Sequence, residues 1–228
     1  MGIVVDPKAR FEATTAVVVI GAGGAGAMAA LAARHAGAEV LLLDRDSSPG
    51  GATARSSGMI PAAGSSEQAA AGVDDSPERH AEDIQSKANG SADHVLVDAY
   101  TRQSAGVLDW LTREYGIRFG LVEGLPPGHS ARRMHALADR GGATLLSSLY
   151  MALARAGAQT KAGARVTDLV VDNERRVLGV RYERASGKAG YVGCKAVVLA
   201  CSRHNLPCRW RVHSGRRARD ARCRPRDP

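Results

Sequence analysis

The sequence predicts an α/β fold built on a parallel sheet, and three observations carry that prediction. An unbroken β-branched run, Val17-Val18-Val19-Ile20, suits a strand covered on both faces. It runs straight into glycines with the G-x-G-x-x-G spacing at Gly21, Gly23 and Gly26, followed by the alanine-rich stretch Ala25 to Ala36, a good helix former. A second apolar run, Glu39-Val-Leu-Leu-Leu-Asp44, closes a β-α-β unit and ends in an acid 18 residues after Gly26.

Those spacings have a chemical reading. In a turn of this kind Gly21 makes the tight bend, Gly23 lets a pyrophosphate approach the backbone and Gly26 lets the helix pack on the sheet. The helix N-terminus offers N–H groups and partial positive charge to phosphates, and Asp44 stands where a carboxylate accepts hydrogen bonds from a ribose. The unit therefore reads as a Rossmann-like dinucleotide site.

The other elements follow in order. Residues 1–14 read as a loosely held lead-in, and Gly37 stands where a left-handed helix cap belongs. Residues 61–76 are small and polar, which predicts a surface loop. Pro77 to Gly90 and Ala92 to Tyr115 read as helices, the second closed by Gly116 and with Trp110 in its core face. The segment Glu123 to His135 combines turn residues with His129, Arg132, Arg133 and His135. Of these, His129, Arg133 and His135 are candidates for steering an anionic substrate or polarising a carbonyl. A solvated basic loop explains them equally well. Gly141-Gly142 opens a helix over Ala143 to Ala156. From Ala164 onward, alternating strands flank the turn Asn173 to Arg176, which predicts a hairpin, and Lys195 to Cys201 reads as a further buried strand.

The stretch Asp44-Arg-Asp-Ser-Ser-Pro-Gly50-Gly51-Ala52-Thr53-Ala-Arg-Ser56-Ser57-Gly58 makes the reading more specific. An acid, a short spacer, Gly-Gly, a hydroxyl residue and Ser-Gly resemble the flavoprotein family of fumarate reductases, succinate dehydrogenases and 3-ketosteroid dehydrogenases. The resemblance spans about residues 15 to 201. It implies a Rossmann-like FAD-binding domain, a GR2-type flavoprotein fold with a β-meander, C-terminally truncated relative to a full member. By that resemblance Gly21, Gly23, Gly24 and Gly26 match the phosphate turn, Asp44 the ribose-binding acid, and Gly50, Gly51, Thr53, Ser57 and Gly58 a second cofactor loop. The strand bearing Val166 meets the adenine through main-chain groups. Members that attach FAD covalently carry a histidine near the place of Ala52, so FAD is expected to be noncovalent. A full member transfers a hydride between flavin and a C–C bond beside a carboxylate or carbonyl of a small-molecule substrate. This chain is expected to be a truncated, catalytically incomplete product of that family, inactive as given, and the alternative is a non-catalytic FAD or nucleotide-binding module.

Bulk properties narrow the remaining classes. A body of 228 residues can bury roughly 70% of its unfolded surface, so disulfides are not required for stability. Cys194, Cys201, Cys208 and Cys223 lack metal-ligand spacing, and no metal is expected. The start carries no secretory pattern, and the apolar stretch 16–43 is broken by glycines and charges, so a cytoplasmic chain without a membrane span is expected. The net charge of +8 is concentrated in residues 202–228, which hold nine arginines against two aspartates. That leaves 22 basic and 21 acidic residues in the nearly neutral body, which argues against a nucleic-acid partner there. Composition changes abruptly at Cys201. The expectation is a frame shift that leaves an out-of-frame, disordered tail at 202–228. The rival is a genuine basic arm whose phosphate contacts and Trp210 stacking bind nucleic acid.

Overall fold

The structure, a computed structural model, describes residues 1–48 and 50–201. The arginine-rich stretch 202–228, with the frame-shift and basic-arm readings attached to it, lies outside the described residues. In chain order the elements are β1 (Gly2–Val5), β2 (Ala13–Ile20), α1 (Gly24–His35), β3 (Val40–Leu43), α2 (Gly51–Ala54), β4 (Ile60–Pro61), α3 (Ser66–Ala70) and α4 (Pro77–Lys87). There follow α5 (His94–Tyr115), β5 (Gly120–Leu121), β6 (Met134–Ala136), α6 (Gly142–Arg155), β7 (Gln159–Lys161), β8 (Ala164–Val171), β9 (Val177–Arg184) and β10 (Ala189–Leu199). The chain divides into two compact units, residues 1–47 with 160 onward, and residues 48–159.

The first unit is organised by a seven-stranded sheet in the order β1-β8-β9-β10-β2-β3-β7. β2 runs parallel to both neighbours, with Val18 opposite Leu41 of β3 and Val197 of β10. Being covered on both sides, it ends in three fully buried residues, Val18, Val19 and Ile20. β8, β9 and β10 form the antiparallel meander, closed at Asp172 and Arg176 by a backbone hydrogen bond of 3.0 Å. Val18, Ile20, Leu43, Leu169, Val171, Val180, Tyr182 and Val192 make one core cluster across these strands.

Two elements of this unit differ from the sequence reading. The segment expected as a lead-in contains β1, whose β-branched run Ile3-Val4-Val5 pairs in parallel with Leu169 to Val171 of β8. β10 begins at Ala189 rather than Lys195. Its first half, interrupted by Gly190 and Gly193, lacks an apolar run but is held by antiparallel pairing to β9.

The second unit holds a small antiparallel sheet, β4-β6-β5, and five helices. α4 starts at Pro77 behind Ser76, whose hydroxyl accepts from the Arg79 N–H. Asp93 caps α5 by accepting from Val95 and Leu96 N–H, and Gly116 ends it in the left-handed region at φ 69°. Trp110 is half-buried and meets Tyr115 edge to face at 5.1 Å. The expected surface loop 61–76 is instead partly interior. Ala62, Ala63, Ser65 and Gln68 are buried, and Ser65 and Gln68 form a reciprocal capping box on α3.

Candidate functional site

The glycine turn joins β2 to α1 with steric requirements that explain its composition. Gly21 has φ 104°, and a Cβ there would lie 2.7 Å from both the Ala200 carbonyl oxygen and the Cys201 nitrogen. A Cβ on Gly26 would lie 1.8 Å from the Gly21 carbonyl oxygen, so the first turn of α1 packs directly on the bend. Gly23 is the N-cap in extended conformation, and Gly24 begins the helix. The N-cap Gly23 has no side chain with which to close α1, and no acid occupies the first turn of the helix. The positive end of a 12-residue helix is thus left without an acidic side chain of its own.

Asp44, just past β3, turns back onto this bend. Its Oδ2 accepts from the Ala22 N–H at 2.5 Å and its Oδ1 from the Asp46 N–H at 2.9 Å. Its main chain is held as well, since Asp44 N–H donates to the Lys161 carbonyl at 3.1 Å and Ala164 N–H donates to the Asp44 carbonyl at 2.7 Å. The end of β3 is therefore stitched to the start of β8, close to Val166. That residue is half-buried and pairs across the sheet with Tyr182. One unit thus brings together Gly21, Gly23, Gly24, Gly26 and Asp44, with Val166 on β8 of the same sheet.

Gly50, Gly51, Thr53, Ser57 and Gly58 lie in the other unit, in a folded segment. Thr53 O accepts from Ser56 N–H at 3.1 Å and from the Ser56 hydroxyl at 2.8 Å, and Ser56 Oγ accepts from Gly58 N–H at 3.1 Å. The segment is clamped to the start of α6, where Gly142 N–H donates to Ser56 O at 3.0 Å. A Cβ on Gly142 would lie 2.0 Å from Thr53 O, and one on Gly58 would lie 2.9 Å from the Gly141 carbonyl. Sequence reasoning took Gly141-Gly142 only as a helix start. Their second role, admitting this loop, had a signal in the paired glycines alone.

Two of the three residues proposed to face a substrate are interior. Arg133 is fully buried and spans two acids, with Nε and Nη2 donating to Asp75 at 2.9 and 2.8 Å and Nη1 donating to Asp83 at 2.5 Å. His135 is also fully buried. Its Nδ1–H donates to the Arg133 carbonyl at 2.9 Å, which leaves Nε2 to accept the Ser65 hydroxyl at 2.7 Å. Their polar atoms are consumed within the fold, so the reading of Arg133 and His135 as substrate-steering groups gives way to a structural one.

Electrostatics in this cluster follow from burial and Arg133. Burial works to raise the Asp83 carboxyl, but hydrogen bonds from Ser130 and Arg133 outweigh it and hold it below the usual range. His80, 1% exposed, meets Tyr100 edge to face at 5.6 Å and is pushed down to about 4 by burial and by the charge of Arg133. His129 is half-buried and is also lowered, first by burial and then by Arg133. It lines an open groove of about 400 Å³ with Asp83, Ser86, Lys87 and Ser130, to which no residue of the 50–58 loop contributes. Among the described residues no group of three or more His, Cys, Asp or Glu side chains is placed to hold a metal, and no helix is long and apolar enough to cross a membrane.

Comparison with known proteins places the chain in a family. Residues 16–216 match the family described as FAD binding domain. The chain belongs to the FAD binding domain family. FAD is its cofactor, and the steric cradle at Gly21 and Gly26 with Asp44 on the Ala22 amide fits the pyrophosphate and ribose of that group. Among members of the FAD-binding family, the chain is 32% identical over 197 residues to the probable fumarate reductase Ifc3 of Shewanella frigidimarina, covering 85% of this chain and 33% of that protein. The fold is similar to a flavocytochrome c3 fumarate reductase in an open conformation, with TM-score 0.77 and 32% identity over 83% of this chain and 34% of the other. It is also similar to a 3-ketosteroid-Δ4-(5α)-dehydrogenase from Rhodococcus jostii RHA1, with TM-score 0.74 and 28% identity over 87% of this chain and 48% of the other. The chain therefore spans about a third of the length of the first curated relatives it matches.

Proposed function

We propose that this chain is the cofactor-holding part of a flavin-dependent oxidoreductase acting on a C–C bond beside a carboxylate or carbonyl of a small molecule. The observation that carries the reading is the Asp44 carboxylate held against the Ala22 amide at 2.5 Å, beside a glycine bend that leads directly into α1. The names of similar proteins, a fumarate reductase and a ketosteroid dehydrogenase, support the substrate class. Bound FAD supplies the redox chemistry, and the chain supplies binding, orientation and electrostatics.

The residue roles follow from that division. Backbone N–H groups at Gly23, Gly24 and the start of α1 take the pyrophosphate, and Asp44 accepts from the ribose. Main-chain groups of Val166 meet the adenine. Gly50, Gly51, Thr53, Ser57 and Gly58 form the second cofactor loop, held by Ser56 and Gly142. Ala52 offers no nucleophile, so binding is noncovalent. Arg133 and His135 are internal, which leaves His129 alone of the three candidates beside an open groove, so the role assigned to the described residues is to hold and orient the cofactor. That same observation favours a second reading, a non-catalytic FAD-binding module.

The test is to purify the protein with flavin present and record its visible flavin band, then reduce it and add fumarate or an enone. Bound flavin reoxidised by substrate supports the first reading, and bound flavin that is not reoxidised supports the second. A protein that folds and takes up no flavin refutes both.

A further inference from the structure

We infer that Lys161 and Tyr182 are positioning residues for the Asp44 carboxylate, and so for the ribose end of the cofactor. This rests on the reading of Asp44 as the ribose-binding acid. Tyr182 is 1% exposed, sits opposite Val166 in the meander and packs its ring in the core cluster. A Cβ on Gly190 would lie 2.6 Å from the Tyr182 hydroxyl, so the phenol tip rests directly against main chain and is fixed in place. Its oxygen accepts from Lys161 Nζ at 2.7 Å and from Arg184 Nη2 at 3.4 Å, and Lys161 Nζ lies 4.8 Å from the ring centroid. Burial works to raise the phenol pKa, but these two cationic donors outweigh it and hold it below the usual tyrosine range.

The importance of the tie lies in what Lys161 carries on its other side. It ends β7, a three-residue edge strand whose side chains are all exposed, and such a strand has little burial to keep it from fraying. Yet the Lys161 carbonyl accepts the Asp44 N–H, and the turn it opens returns Gly163 N–H to Asp46 O at 3.0 Å and Ala164 N–H to Asp44 O at 2.7 Å. Among the described residues Lys161 forms no ion pair, whereas Arg184 is paired with Glu12. The phenol is therefore the anchor of the Lys161 side chain. Through Lys161 it steadies the main chain on which the Asp44 carboxylate is aimed at Ala22.

The experiment is a titration of FAD, followed by flavin fluorescence, into wild type, Tyr182→Phe, Lys161→Met and Lys161→Arg, each also in an Asp44→Ala background. Melting of the apoprotein is recorded alongside. Tyr182→Phe and Lys161→Met are expected to weaken FAD about 3- to 10-fold. ADP, which carries only the ribose end, loses the same factor, and Lys161→Arg recovers most of it. In the Asp44→Ala background the same substitutions add nothing, because residues acting through one another are non-additive. An unchanged Kd, or an equal loss with Asp44 already removed, overturns the inference while leaving the FAD site standing. If wild type binds no FAD, or Asp44→Ala alone leaves Kd unchanged, the reading beneath it falls as well.

Discussion

Replacing Arg133 with methionine isolates the buried ion pair and tests whether this residue belongs to the fold or to a substrate site. The substitution keeps an unbranched stem and removes a guanidinium that donates three hydrogen bonds to Asp75, whose side chain is fully buried, and Asp83, whose side chain is 18% exposed, and a longer one to the Ser130 hydroxyl. Breaking a buried pair by deleting one partner costs about 3–5 kcal/mol, because the other charge is stranded. Asp75 would retain Gln68 Nε2 at 2.9 Å and Ser76 N–H at 3.0 Å, and Asp83 would retain Ser130 N–H at 2.7 Å and its hydroxyl at 2.9 Å. Those neutral donors place the expected cost near the lower end, about 3 kcal/mol. Urea unfolding followed by far-ultraviolet circular dichroism reads it as a lower midpoint. Adding Asp75→Asn removes the stranded charge and should restore about 1–2 kcal/mol. A midpoint within error of wild type, together with weakened binding of flavin or substrate, would refute the structural assignment and return Arg133 to the site.

Three further outcomes follow from the same geometry. His80 is neutral in the folded protein, with its pKa lowered from 6.5 to about 4, so its contribution is fully present above pH 6.5 and is lost as pH falls towards 4. The shift corresponds to at most about 3 kcal/mol, or about 2 after discounting for solvent screening. Urea midpoints measured from pH 7 to 4 should fall more steeply for wild type than for His80→Phe, and parallel slopes would remove the argument. Gly26→Ala places its Cβ 1.8 Å from the Gly21 carbonyl oxygen, forcing α1 off the bend. It should cost about 1–3 kcal/mol of stability by thermal melting and at least about tenfold in FAD affinity. Asp44→Ala removes a hydrogen bond to a charged group and should cost about 1.5–3 kcal/mol of FAD binding, about 10- to 100-fold in Kd by fluorescence titration.

What the sequence disclosed, and what it concealed, divides along the range over which each residue's role is decided. β2, the glycine turn, α1 and β3 were legible because their signals are local: a β-branched run, fixed glycine spacing, an alanine-rich helix and a strand ending in acid. The bend at Gly21 and the contact at Gly26 are steric requirements that only glycine meets, so spacing alone reported them. β1 was missed because three apolar residues gain a role only when β8, far along the chain, offers them an edge. The interior of 61–76 was masked by its polar composition, although Ser65 and Gln68 carried a capping-box spacing that local reading contains.

Arg133 and His135 mark the point where such reading fails for a physical reason. A charged side chain in a turn-rich segment is stable either in water or against buried opposite charge, and the segment itself looks the same in both cases. Here the partners of Arg133 stand 58 and 50 positions away, and the hydroxyl facing His135 stands 70 away. The steric requirements of the glycine turn could therefore be read from residue types. What Arg133 meets depended on which acids the fold carries to it: Asp75 and Asp83 arrive there and close it off, whereas Asp44, already legible at the end of β3, needs only the neighbouring bend and sets its carboxylate on the Ala22 amide.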